Sequence, residues 1–164
     1  MGAVGLHAAT RALLEAHAPT LGRLRAGAKL EWGVIVGKAP RLLMGGGTVD
    51  LKKVIRSHRL TLVALWASWC GPCREELRTL ADLEASRDGL FVLAVNVDVE
   101  REAARRLLRE LDVDLTVIEG RPALLEEFGI VALPVTIALD DRGRVQWAVQ
   151  GELSYHRALI DRWV

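Results

Sequence analysis

Residues 65–76 read LWASWCGPCREE, and this stretch holds both cysteines of the 164-residue chain, Cys70 and Cys73. Three uses of such a pair compete: half of a zinc site, a structural staple, and a redox-active dithiol. Zinc needs four ligands, and the four histidines form no pair with the spacing of zinc ligands, so no metal is expected. A staple across two intervening residues closes a loop too small to stabilise much. The pattern therefore favours a redox-active dithiol.

The segments on either side of this pair predict a strand followed by a helix. Residues 59–68 are apolar and rich in β-branched side chains, which is typical of a buried strand. Residues 72–86 predict a helix with leucines along one stripe and a proline near its start, where a missing N–H costs nothing. Cys70 then lies at a helix N-terminus, where free N–H groups and the helix dipole stabilise a thiolate. Cys73 lies one turn further along, within bonding reach of Cys70.

Length and composition favour a single globular domain, and the alternation of predicted helices and strands described below makes it an α/β domain. Half of the residues are hydrophobic and the net charge is +1, so no nucleic-acid partner is expected. No apolar run reaches the ~18 residues that a membrane-spanning helix needs, so no span is expected in this chain. The first 17 residues lack the basic beginning and unbroken apolar centre of a signal peptide. The compartment stays open at this point.

The rest of the chain alternates between predicted helices and strands. Residues 1–29 are predicted to form a helical and possibly separable extension, and residues 30–164 the main domain. Residues 39–51 predict a hairpin with three glycines at its turn. The alternation implies a mixed sheet with helices on both faces. Further strands are predicted at residues 30–36, 90–98, 115–118, 135–139 and 145–149, and helices at residues 50–58, 100–111, 121–130 and 153–163, the last capped by Ser154.

The motif WCGPC after a buried strand, with Leu133-Pro134 opening a later strand, resembles the thioredoxin fold. In that fold the later proline is cis and packs opposite the dithiol. Three further features resemble the TlpA-like thiol–disulfide oxidoreductases. Residues 38–55 resemble their extra N-terminal hairpin, residues 95–120 resemble their central helix–strand insert, and Glu76 stands where that family has a glutamate. The resemblance covers residues 33–163.

The resemblance implies an enzyme that reduces protein disulfides, with no cofactor. A disulfide-containing protein would be its substrate, and an upstream thiol reductant would recharge it. Cys70 would attack and Cys73 would resolve the mixed disulfide, while Glu76 is either a proton relay or only a solvated carboxylate. The expected substrate-binding residues are Trp69, Gly71, Pro72, Leu133 and Pro134.

The sequence departs from the related families at two positions. Ala64 stands where plain thioredoxins have a buried aspartate, and Arg78 stands where both groups have a helix-kinking proline. TlpA-like proteins are normally exported or membrane-tethered, yet no signal or anchor is visible in this chain. Two alternatives stay open: the same dithiol used as a disulfide oxidase or isomerase, and a thioredoxin-fold binding module without turnover.

Overall fold

A computed structural model of the protein describes residue 27, residues 41–153 and residues 157–164. The predicted helices of residues 6–28 and the predicted strand at residues 30–36 lie outside the described residues, apart from Gly27. The proposed helix cap Ser154 lies outside them as well. The division of the chain at residue 29 therefore stays a prediction.

The described residues form five helices and five strands, which we number in chain order. They are α1 (Leu51–Arg56), β1 (Leu60–Trp66), α2 (Gly71–Ser86), β2 (Leu90–Asn96), α3 (Arg101–Leu111), β3 (Thr116–Glu119), α4 (Leu124–Glu127), β4 (Val135–Leu139), β5 (Val145–Gln150) and α5 (Arg157–Ile160).

The strands form one mixed sheet in the order β3-β2-β1-β4-β5. β1 and β2 are parallel, as are β2 and β3, whereas β4 runs antiparallel to both β1 and β5. Every residue of β1 is buried, as expected for a central strand covered on both faces. The predicted mixed sheet is confirmed, with a parallel part and an antiparallel β4–β5 hairpin at one edge, and with it the thioredoxin fold.

Helices cover both faces of the sheet. Alternate residues of a strand point to opposite faces, so β1 contributes to two separate cores. Val63 and Leu65 pack in the core that contains α1, while Leu62 and Ala64 pack in the core that contains Leu80 of α2. Helix α3 packs on the same side as α2, in a third cluster that contains both cysteines.

The predicted hairpin at residues 39–51 is much reduced in the part that the structure describes. Its three glycines adopt positive φ angles and turn the chain, but only one antiparallel bridge, between Arg41 and Thr48, joins the two arms. The first arm pairs instead with the outer edge of β3: Leu42 bridges Ile118, and the Leu43 N–H donates to the Val117 carbonyl at 2.9 Å. The free hydrogen-bonding groups of an edge strand explain this preference.

Two predicted helices are shorter than expected. The helix predicted at residues 121–130 is only the single turn Leu124–Glu127, because Pro122 lies in the preceding turn and Gly129 ends it with a φ of 65°. At the end of the chain, the helix is described only at Arg157–Ile160. Helix α2, by contrast, runs without a break through Arg78.

Candidate active site

Cys70 and Cys73 form a disulfide at the junction of β1 and α2, with their Cα atoms 5.4 Å apart. Cys70 is the N-cap residue of α2 and makes no side-chain capping hydrogen bond, while Cys73 lies in the first turn. The Cys73 side chain is completely buried, whereas Cys70 keeps 5% of its surface exposed. The two sulfurs are therefore bonded to each other, and Cys70 is the less completely buried residue of the pair.

A tight turn after β1 sets the position of Cys70. The Cys70 N–H donates to the Ala67 carbonyl at 3.2 Å, so Ser68 and Trp69 form the corner of the turn. The helix then begins at Gly71, with proline in its first turn, where the missing N–H would have no partner in any case. This local chemistry explains why the predicted strand-to-helix turn forms.

The two tryptophans next to the dithiol have opposite environments. Trp66, the last residue of β1, is buried in the same cluster as both cysteines. Trp69 is 65% exposed, beside exposed Gly71 and Pro72. Trp66 is thus part of the core, and Trp69 offers a large apolar surface next to the disulfide.

The loop before β4 reaches the same end of the sheet. The Leu133–Pro134 peptide bond is cis, as the resemblance implied. Val135 pairs with Leu65, which places Pro134 level with the last residue of β1. Leu133 packs against the cluster that contains both cysteines. The structure therefore brings Leu133 and Pro134 to the dithiol, although about 60 residues separate them in sequence.

Glu76 is a buried carboxylate, only 3% exposed, one helical turn after Cys73. Its oxygens accept hydrogen bonds from the Leu153 N–H, at 3.0 and 3.2 Å, and from the Thr136 hydroxyl at 3.4 Å. Burial raises the pKa of Glu76 to about 6, although these hydrogen bonds act in the opposite direction. Thr136 pairs with Ala64, so Glu76 bonds to the direct neighbour in β4 of the position at which plain thioredoxins have the aspartate. The solvated-carboxylate interpretation of Glu76 is therefore wrong.

The raised pKa of Glu76 predicts a specific dependence of stability on pH. The folded protein holds this proton more tightly than the unfolded chain, so the free energy of unfolding should fall as pH rises from 4.5 to about 6. Above that range the buried charge costs about 2 kcal/mol. Glu76→Gln should abolish this contribution, and urea denaturation of the oxidised protein between pH 4.5 and 7 measures it. Equal slopes in the wild type and the variant would contradict the assignment.

A polar network next to the turn that carries Cys70 was not predicted from the sequence. Asn96, the last residue of β2, and Asp98 are both buried, and Asp98 accepts hydrogen bonds from Ser68 in the turn before Cys70. Two polar residues at alternate positions at the end of an apolar strand were the available signal.

The described residues hold neither a metal-binding cluster nor a membrane-spanning helix. In this part of the chain, no group of three or more His, Cys, Asp or Glu side chains could hold a metal ion. No helix at residues 41–153 or 157–164 has the length and apolar character needed to cross a membrane.

Comparisons with known proteins agree with this site. The model of the Redoxin family matches residues 34–159. The chain is 30% identical to the thiol:disulfide interchange protein HelX of Rhodobacter capsulatus over 102 residues, which are 61% of this chain and 57% of that protein. It is 27% identical to the thiol-disulfide oxidoreductase ResA of Geobacillus thermodenitrificans over 109 residues, 60% of this chain and 63% of that one. It therefore spans less than two thirds of these curated relatives.

A solved structure shows the same fold. The thioredoxin domain of a thiol-disulfide oxidoreductase from Bacteroides vulgatus superposes with a TM-score of 0.67 at 19% identity, over 85% of this chain and 99% of that one. The residues matched by the family model include the dithiol, the cis-proline loop and all five strands of the sheet. The chain belongs to the Redoxin family, and it is similar to the TlpA-like thiol–disulfide oxidoreductases of the thioredoxin superfamily.

Proposed function

We propose that this chain reduces disulfide bonds in proteins through Cys70 and Cys73. The observation that carries the proposal is the pairing of these cysteines at the start of α2, with Cys70 the more exposed sulfur. A helix N-terminus stabilises negative charge, which favours Cys70 as the thiolate in the reduced protein. Complete burial disfavours a charge on Cys73.

The reaction proceeds in two exchanges of thiolate for disulfide. The Cys70 thiolate attacks one sulfur of the substrate disulfide, forming a mixed disulfide and releasing the first substrate thiolate. Cys73 then loses its proton and attacks the Cys70 sulfur, which releases the second substrate thiolate and closes the Cys70–Cys73 disulfide. Two electrons pass to the substrate, and an upstream dithiol reductant returns them to the enzyme.

Glu76 is the proposed acceptor of the Cys73 proton. The two residues are three apart on α2 and therefore share a face of the helix. With a pKa of about 6, the Glu76 side chain is ionised near neutral pH and still close enough in basicity to take up a proton. Transfer occurs directly or through a water molecule.

The proposed substrate groove is lined by residues from two loops. On one side are exposed Trp69, Gly71 and Pro72, and on the other are Leu133 and Pro134. Proline has no N–H to donate, so the loop presents neighbouring backbone groups to an extended substrate segment, as in β-strand addition. Exposed Trp69 on one side of the disulfide and partly buried Leu133 on the other offer apolar surface that suits a polypeptide substrate.

If the chain acts as a reductant, the Cys70–Cys73 disulfide should have a low reduction potential. In the site, one helix N-terminus stabilises the thiolate, and Arg74 is engaged by Glu110 at 3.3 Å on the exposed surface. Such modest stabilisation suits a reductant, so we expect a potential of roughly −270 to −200 mV, measured by equilibration with glutathione. A value near −120 mV would instead identify an oxidant.

Turnover separates the enzyme from a binding module. The protein should accelerate the reduction of insulin disulfides by dithiothreitol in a catalytic amount, since each cycle regenerates the dithiol. The matched control is the doubly substituted Cys70→Ser, Cys73→Ser protein, which keeps the groove and loses the chemistry. Equal rates for the two proteins would leave only the binding-module alternative.

A further inference from the structure

We propose that Asp98 is a positioning residue for the dithiol: its carboxylate fixes the turn that places Cys70 at the start of α2. This role rests on the proposed function, because it concerns how readily the same two thiols close to a disulfide. Asp98 lies two residues beyond the carboxyl end of β2 and is 28 positions from Cys70 in the sequence.

The Asp98 carboxylate binds the corner of the turn in two ways. The Ser68 backbone N–H donates to Asp98 Oδ2 at 2.8 Å, and the Ser68 hydroxyl donates to Asp98 Oδ1 at 2.7 Å. Ser68 is the first corner residue of the turn, in which the Cys70 N–H bonds back to Ala67. Both carboxylate oxygens therefore hold the residue from which the chain continues to Trp69 and Cys70.

The Asp98 carboxylate is in turn held in place by Asn96. Asn96 Nδ2 donates to Asp98 Oδ2 at 2.7 Å, and the Asp98 backbone N–H donates to Asn96 Oδ1 at 3.1 Å. Asn96 is fixed in the sheet, opposite Trp66 in β1 and Glu119 in β3. A chain of short contacts thus connects the rigid centre of the sheet to the loop that carries the nucleophile.

The packing around this network leaves little room for it to shift. Asp98 is 6% exposed and Asn96 is 2% exposed. The Gly120 N–H donates to the Asn96 carbonyl at 2.7 Å, and a Cβ at Gly120 would lie 2.6 Å from that carbonyl oxygen. Buried side chains with all partners in place are rigid, which is what a positioning device needs.

The physical consequence concerns ring closure. The equilibrium between enzyme dithiol plus oxidised glutathione and enzyme disulfide plus two reduced glutathione molecules depends on how often the Cys70 and Cys73 sulfurs meet. A fixed turn raises their effective concentration, and a turn freed from Asp98 lowers it. Loss of the carboxylate should therefore shift this equilibrium toward the dithiol.

The experiment equilibrates each protein with glutathione buffers and measures the oxidised fraction by alkylation and mass. Asp98→Ala should lower the equilibrium constant for disulfide formation by about tenfold, which corresponds to a potential about 30 mV higher. Asp98→Asn should stay within about twofold of the wild type. Its amide oxygen still accepts from the Ser68 and Asn96 N–H groups, and its NH₂ group donates to the Ser68 hydroxyl, which can also accept.

Glu84→Ala is the matched control. Glu84 accepts a hydrogen bond from the Val92 N–H at 2.7 Å near the opposite end of β2, so its loss perturbs the same strand away from the turn. It should leave the glutathione equilibrium at the wild-type value. The role of Asp98 is overturned if Asp98→Ala stays within twofold of the wild type, or if Glu84→Ala shifts the equilibrium equally.

If Asp98→Ala does not fold, two Ser68 variants test the positioning role of Asp98 instead. Ser68→Ala removes only the hydroxyl contact and should lower the equilibrium constant about threefold, while Ser68→Thr keeps the hydroxyl and should match the wild type. An unchanged constant in Ser68→Ala rejects the role. None of these measurements needs a protein substrate, so a wild-type chain that fails to reduce insulin would refute the proposed function while leaving the Asp98 result interpretable.

Discussion

Cys70→Ser is expected to abolish both turnover and alkylation at neutral pH, whereas Cys73→Ser should attack substrate and then stop at the mixed disulfide. The reason is the asymmetry of the two sulfurs. Cys70 caps the helix and keeps some exposure, while Cys73 is fully buried in the first turn. Mass spectrometry of the protein mixed with a disulfide substrate measures trapping, and iodoacetamide labelling of the reduced wild type measures which thiol reacts first.

Each cysteine variant serves as the control for the other. Both lose the disulfide and so suffer the same loss of cross-linking, and any difference between them reports the chemistry of the individual thiol. Faster alkylation of Cys73 than of Cys70 in the reduced wild type would reverse the assigned roles. Trapped complexes with Cys70→Ser and none with Cys73→Ser would lead to the same reversal.

Glu76→Gln should leave the first attack unchanged and slow resolution by about 10²-fold, the low end for loss of a general base. Glutamine preserves the shape of the side chain, and its amide oxygen still accepts from the Leu153 N–H, so packing is retained. A mixed disulfide is formed first with a chromogenic thiol, and release of that thiol by Cys73 is then followed in a stopped-flow instrument.

The pH dependence of this step gives an independent check. The Glu76 carboxylate accepts a proton only when ionised, so wild-type resolution should fall as pH drops below about 6, and Glu76→Gln should lack that limb. Glu84→Gln is the control, because it alters another carboxylate of α2 that accepts a backbone N–H. If Glu76→Gln resolves the mixed disulfide at the wild-type rate, the Glu76 carboxylate has only a structural role.

The hydrogen bonds around Glu76 and Asp98 show two different uses of a buried carboxylate. Glu76 receives few donors, and burial dominates, which raises its pKa to about 6 and suits it to exchange a proton. Asp98 receives three donors from Ser68 and Asn96, so its oxygens are committed to holding other groups. Glu76 lies on α2, the helix that begins at the dithiol, whereas Asp98 lies two residues beyond the end of β2.

The sequence alone was sufficient for the local features of the site. The apolar run before the cysteines, the Gly-Pro pair between them and the leucine stripe after them predicted the strand, the turn and α2, because each depends on neighbouring residues. The alternation of helices and strands predicted the mixed sheet for a similar reason. Where neighbouring residues gave weaker constraints, as in the helix at residues 121–130 and the hairpin at residues 39–51, the predicted elements were too long.

Apart from the Leu133-Pro134 loop, which the resemblance already implied, only the tertiary structure decided which distant groups surround the dithiol. The burial of Glu76 depends on Thr136 and Leu153, and the support of the turn depends on Asp98. Those contacts join residues 30 to 77 positions apart. Sequence periodicity reports which face of an element is apolar, but the partner across that face is set by strand order and register. For that reason Cys70 could be identified as the nucleophile from its neighbours in the sequence. The partners of Glu76 and the contacts of Asp98 could not be identified in that way.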